Sequence, residues 1–131
     1  SAGTFEDVGH RPLFAWHGSR GAARALHDAL PLVTPGADAL LVEAGRPGDP
    51  PDEFAELALA DLATHGVSAR FQSAVVEDVR LMDTLLNQAS DHAADLMAVG
   101  AFDTSGFPFF GRGSGTRYLL RHMTVPVLFS H

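Results

Sequence analysis

The segment Asp95–His131, DLMAVGAFDTSGFPFFGRGSGTRYLLRHMTVPVLFSH, decides how this chain is read. Its continuous apolar run Leu96–Val99 has the character of a strand covered on both faces and ends at Gly100. A glycine-rich loop follows, and a helix over about Gly115–His122 can begin near Gly113-Ser114-Gly115-Thr116. The N–H groups at such a helix start carry roughly half a positive charge between them and point outward, which suits phosphate. Glycines there let ligand and backbone approach closely. Ser114 also fits a helix N-cap, a role that shares its geometry with an anion site. The run Val125–Phe129 reads as the last strand, and Pro126 inside it removes a ladder donor, which assigns that strand to a sheet edge.

Outward from this segment, the rest of the chain alternates strands with helices. Leu13–Trp16 is a short apolar run bounded by Pro12 and Gly18, and reads as a buried strand. Ser19 can cap the following helix, whose face Ala22, Leu26, Ala29, Leu30 and Val33 runs to a stop at Pro35-Gly36. Ala39–Ala44 reads as the second strand, and Phe54, Leu57, Ala58 and Leu62 as the stripe of a helix ending at Gly66. Val67–Val75 alternates loosely, as a strand exposed on part of one face does; Met82, Leu85, Leu86, Ala89 and Ala93 mark the third helix. Five strands alternating with four helices give an α/β fold: an open, mostly parallel sheet with right-handed crossovers and helices on both faces. Ser1–His10 has little periodicity and reads as an N-terminal extension, its first residues Ser1-Ala2-Gly3 matching an expression remnant, ahead of one domain over 11–131.

Composition narrows the chemistry. At 131 residues with 46% hydrophobic side chains, one domain with a sizeable core is expected. A net charge of −7 and nine scattered basic residues, all Arg, argue against a nucleic-acid surface. There is no Cys and no Lys, which excludes a thiolate nucleophile, Cys-ligated zinc, a P-loop lysine and a Schiff base. Gly111–Gly115 is not a nucleophile elbow, because Arg112 and Thr116 stand where that motif needs glycine on either side of Ser114. The seven histidines show no metal-ligand spacing and read as surface or helix-cap residues, His122 suiting a helix C-terminus. No apolar run reaches the roughly 18 residues of a membrane span and no signal peptide is visible, so a soluble, cytoplasmic protein is expected.

The spacing Gly100, two residues, Asp103, nine residues, Gly113-Ser114 resembles the signature of the universal stress protein family, with one change. Nucleotide-binding members carry glycine where Asp103 stands. The lead-in DLMAVG, the lead-out TRYLLRHMTVPVLFSH and the opening PLFAWHGSRGAARALHDALPL also match, so the resemblance spans nearly the whole chain. It implies strand order 3-2-1-4-5, which sets a ligand crevice outside the carboxyl ends of strands one and four. Trp16, His17, Gly18 and Ser19 would form one wall. Gly100, Phe102, Asp103, Arg112, Gly113, Ser114, Gly115 and Thr116 would form the other.

ATP or another adenine nucleotide is the ligand this resemblance implies. Two residues depart from the pattern. His17 stands where relatives carry an acidic residue against the adenosine; an imidazole can donate, accept or stack but cannot act as a fixed carboxylate. Asp103 places a negative charge near the phosphates, a repulsion of roughly 4 kcal/mol at about 4 Å near a surface. Arg112 offsets part of it, a divalent cation held by Asp103 would offset more, and loss of the ligand is equally economical. Phe102, Phe107, Phe109 and Phe110 either cover an apolar ligand or pack on the domain or a partner.

The resemblance also implies a homodimer through Val125, Pro126, Val127, Leu128 and Phe129. Because the opening residues resemble the junction inside tandem members, the other half of a longer chain is the alternative partner. Three readings of function follow: a regulatory, stress-response binding module with a degenerate nucleotide crevice; a nucleotide-free dimerisation module; and a weak metal-dependent ATPase. No catalytic residue and no resident metal site is assigned.

Overall fold

The computed structural model describes residues 8–16, 19–45, 54–75, 78–100 and 121–130. The elements are β1 Pro12–Trp16, α1 Ser19–Ala29, β2 Asp38–Gly45, α2 Phe54–Thr64, β3 Ser68–Val75, α3 Asp78–His92, β4 Leu96–Gly100 and β5 Val127–Ser130. The five strands form one parallel sheet in the order β3-β2-β1-β4-β5. This is the expected order.

The central strands explain their own composition. Every residue of β1 and of β4 is buried, because helices cover both faces of the sheet there. Leu13 and Ala15 of β1, Leu40 and Val42 of β2, and Met97 and Val99 of β4 pack with Leu85 and Ala89 of α3. Phe14, Trp16, Ala39, Leu41 and Ala98 face the other way, against Ala25, Leu26 and Ala29 of α1 and Ala55, Ala58 and Leu62 of α2. Each large aliphatic or aromatic side chain so buried contributes about 1.5–3 kcal/mol relative to exposure. The outer strand β3 is covered less completely: Arg70, Phe71 and Ser73 are exposed, which matches the partial exposure read from its loose alternation.

Four sequence readings are corrected. The first helix stops at Ala29, and Leu30–Leu32 forms a single 3-10 turn. Pro31 is the cause, since it lacks an N–H and its ring obstructs the preceding helical carbonyl. Pro35-Gly36 instead makes a turn closed by Ala37 N–H donating to the Thr34 carbonyl at 3.0 Å, with Gly36 at φ +88° in the position of a type II turn that demands it. In α2, Leu57 is 68% exposed, and the inward face is carried by the smaller Ala55 and Ala58 with Leu62. Ala93 does not continue α3 but follows it at φ 56°.

The last strand is also shorter at its start than expected. β5 begins at Val127, so Pro126 precedes it, and the Pro126 carbonyl accepts from Met97 N–H at 3.0 Å. The strand does lie at the edge of the sheet beside β4. Of the expected last helix only Arg121 and His122 are described, and they are helical. No helix among the described residues is long and apolar enough to cross a membrane.

Candidate functional site

The order β3-β2-β1-β4-β5 reverses direction between β1 and β4. From β1 the chain moves outward through α1 to β2; from β4 it moves the opposite way, to β5. Connections that leave adjacent parallel strands in opposite directions open a crevice at their carboxyl ends, the general ligand position in sheets of this kind. Here the register pairs Ala15 with Val99, so the crevice is bounded by Trp16 on one strand and Gly100 on the other.

Of the residues the sequence assigns to that crevice, Trp16, Ser19 and Gly100 are described. Gly100 is the last residue of β4, in register with Ser130 of β5, and lies at the crevice mouth. Ser19 is the first residue of α1, separated from the end of β1 by two residues, which puts a helix N-terminus at the same end of the sheet. Trp16 is fully buried among the residues facing α1 and α2, with its ring centroid 6.2 Å from that of Phe71 and the planes tilted by 39°. The indole is thus a core group under the crevice. His17, Gly18, Phe102, Asp103, Arg112, Gly113, Ser114, Gly115 and Thr116 lie outside the described residues. On the expected dimer strand, Val125, Val127 and Leu128 are half-buried and Pro126 is exposed, while Phe129 is placed in β5 by its backbone.

A cleft of about 480 Å³ lies elsewhere, between the end of α3 and the segment entering β5. Leu86, Ala89, Met123 and Val125 make most of its lining apolar. It opens at the amino ends of β4 and β5 and has no part in the crevice defined by the strand order.

A polar cluster that the sequence reading missed is built at that same amino end. The Asp95 carboxylate accepts from the backbone N–H of His10 at 2.9 Å and of Arg11 at 3.0 Å, tying the entry of β1 to the entry of β4. Arg11 donates through Nε to the His92 carbonyl at 2.7 Å and pairs with Asp38 Oδ2 at 3.2 Å. His92 is 1% exposed, which corrects its reading as a surface or cap residue. Its Nδ1 faces an Arg70 terminal nitrogen at 3.0 Å and its Nε2 the Asp38 carbonyl at 2.9 Å. Burial pushes the His92 pKa below its ordinary value; the hydrogen bond to the Asp38 carbonyl opposes this, Arg11 and Arg70 add to the lowering, and the Asp38 charge opposes it. Nothing local marks these residues, because each is separated in sequence from its partners by 22 or more positions.

The comparisons with known proteins agree with this geometry. A sequence model of the universal stress protein family matches residues 13–131. Among solved structures, a universal stress protein family member from Burkholderia pseudomallei is 25% identical, with 97% of each chain covered and a TM-score of 0.61. The universal stress protein UspA from Lactobacillus plantarum is 16% identical over 95% of this chain and 99% of its own, with a TM-score of 0.61. A universal stress protein from Archaeoglobus fulgidus is 18% identical over 95% of this chain and 100% of its own, at 0.58. Comparison with curated proteins gives no match. The family match covers both walls of the crevice as well as the strands that position them, and the chain belongs to the universal stress protein family.

Proposed function

We propose that this domain is a regulatory, stress-response module that takes an adenine nucleotide in the crevice between β1 and β4 and works as a dimer through β5. The observation that carries the reading is the position of Gly100. It ends β4 at the reversal of strand order and begins the spacing Gly100, Asp103, Gly113-Ser114. The sequence sets Gly113-Ser114 at a helix start, where backbone N–H groups and the Ser114 hydroxyl would suit a phosphate chain without lysine. Arg112 supplies the neighbouring positive charge. Dimerisation follows from β5: an edge strand of Val127, Leu128 and Phe129 is a template for pairing unless something covers it.

A nucleotide-free dimerisation module is the second reading, favoured by Asp103 and His17 at positions where a nucleotide calls for glycine and an acid. Calorimetric titration with ATP and with AMP, with and without magnesium, separates the two. Binding that weakens at least tenfold in Ser114→Ala, a loss of about 1.4 kcal/mol, supports the phosphate site. Silence in the parent with binding in Asp103→Gly assigns the closure to that carboxylate. Silence in parent, Ser114→Ala and Asp103→Gly alike refutes the nucleotide reading. Magnesium-dependent turnover that disappears in Asp103→Ala would make the domain an ATPase instead. Sedimentation across a range of concentrations checks the dimer, and a monomer throughout refutes it.

A further inference from the structure

The His92 cluster lies at the opposite end of the sheet from the crevice and has no role in the nucleotide reading. Its chemistry is determined by its donors. A guanidinium has only donors, so the Arg70 nitrogen 3.0 Å from Nδ1 must donate and Nδ1 must be the lone-pair nitrogen. The proton of the neutral ring therefore sits on Nε2 and is donated to the Asp38 carbonyl at 2.9 Å. Both ring nitrogens are then satisfied in one tautomer of one charge state, on a residue that is itself 1% exposed.

A second proton can go only to Nδ1, where it would set an N–H against the Arg70 N–H. The groups around the ring favour that event poorly. Arg70 faces it from β3, the carbonyl and carboxylate of Asp38 from β2, and Arg11 from the approach to β1. Asp95, ahead of β4, directs its carboxylate to the His10 and Arg11 amides. Two guanidinium groups thus meet one nearby carboxylate, Asp38, which already pairs with Arg11.

We propose that His92 with Arg70, Asp38, Arg11 and Asp95 forms a proton-sensitive latch, in which protonation of His92 breaks the Arg70 contact and releases the end of α3 from β2 and β3. Burial lowers the ring's pKa, in agreement with the hydrogen-bond pattern. Because the folded-state value lies below the unfolded one, the unfolded chain takes the proton first as pH falls through about 6.5. The latch's contribution is complete above that pH, is lost from there down to the folded-state pKa, and levels off below it. One excess proton on the unfolded chain costs up to tenfold per pH unit in the ratio of folded to unfolded protein.

The test is urea unfolding of the full chain between about pH 8 and pH 5, on the parent and on His92→Gln, which keeps a donor and an acceptor but does not titrate. Nitrogen-15 spectra of the His92 ring are recorded over the same range. The expected result is a parent whose folding ratio falls further than that of His92→Gln below about pH 6.5, by at most about tenfold per pH unit, and an Nε2–H tautomer that persists below that pH. Arg70→Gln removes one opposing cation and should raise the pH at which the His92 resonance titrates. Equal pH dependence in parent and His92→Gln overturns the proposal. If His92→Gln does not fold, the parent spectra decide: titration of His92 at or above its ordinary value, or an Nδ1–H tautomer, overturns it.

Discussion

Ala93→Gly should stabilise this domain, and the structure supplies its own control. Both α2 and α3 end in the same pair of closing bonds. At α2, Gly66 N–H donates to the Ala63 carbonyl at 3.0 Å and Val67 N–H to the Leu62 carbonyl at 3.0 Å. At α3, Ala93 N–H donates to the Ser90 carbonyl at 3.0 Å and Ala94 N–H to the Ala89 carbonyl at 2.9 Å. This double closure needs one residue in the left-handed region, met by Gly66 at φ 75° and by Ala93 at φ 56°. An L-residue there is disfavoured by roughly 1–2 kcal/mol, while glycine loses about 0.5–1 kcal/mol more backbone entropy on folding. The net gain for Ala93→Gly is about 0.5–1 kcal/mol.

Gly66→Ala is the reverse exchange at a site with room for the methyl group, whose nearest new neighbour would be the Gly36 nitrogen at 3.9 Å. It should cost the same amount. Urea unfolding near pH 8, where His92 is neutral in both states, reads both changes as opposite shifts of the midpoint at constant slope. If Gly66→Ala destabilises while Ala93→Gly is neutral or worse, the backbone penalty assigned to Ala93 is wrong.

Two further perturbations probe the approaches to the sheet. Gly9→Ala should cost about 2–4 kcal/mol in the same unfolding assay, because its Cβ would lie 1.9 Å from the Leu32 carbonyl oxygen with φ at +87°, so backbone has to move. Asp95→Asn should cost about 1–3 kcal/mol, since one amide oxygen cannot replace two carboxylate acceptors for the His10 and Arg11 amides and its NH2 would face a donor. A loss below a few tenths of a kcal/mol would show that those two amides find another acceptor, and would remove Asp95 from the tie between β1 and β4.

How much of this molecule can be read from its sequence depends on how far apart the deciding residues lie. The strands β1 and β4 were legible because five consecutive buried residues in each leave a continuous apolar run. Helix ends were partly legible. Gly66 marks its own stop, but the end of α3 at Ala93 carries no glycine, and two candidate stops, Pro31 and Pro35-Gly36, compete at α1. Proline obstructs the carbonyl four residues back, so a helix continuing from α1 is broken at Pro31 before it can reach Pro35-Gly36. Leu57 misled for a different reason. A helix packed closely on a sheet can turn alanines inward, and Ala55 and Ala58 do so, which leaves the larger apolar side chain outside.

The two ends of the sheet show the same contrast. For the crevice at the carboxyl end, the proposed anion chemistry is read from glycines and hydroxyl residues spaced along one segment, because an anion site built of backbone N–H groups depends on local sequence. At the amino end, His92 takes its character from Arg70 of β3, Asp38 of β2 and Arg11 on the approach to β1. No window of sequence contains that arrangement, and the same histidine on an exposed helix end would be an ordinary cap. Whether a titratable residue is a surface group or a buried one is therefore set by strand order and register, here by the pairing of Asp38 with Ser68 that brings the starts of β2 and β3 together. That pairing places Arg70 and the Asp38 carbonyl where the imidazole at the end of α3 bridges them, so the His92 tautomer is a property of the topology rather than of the segment that carries it.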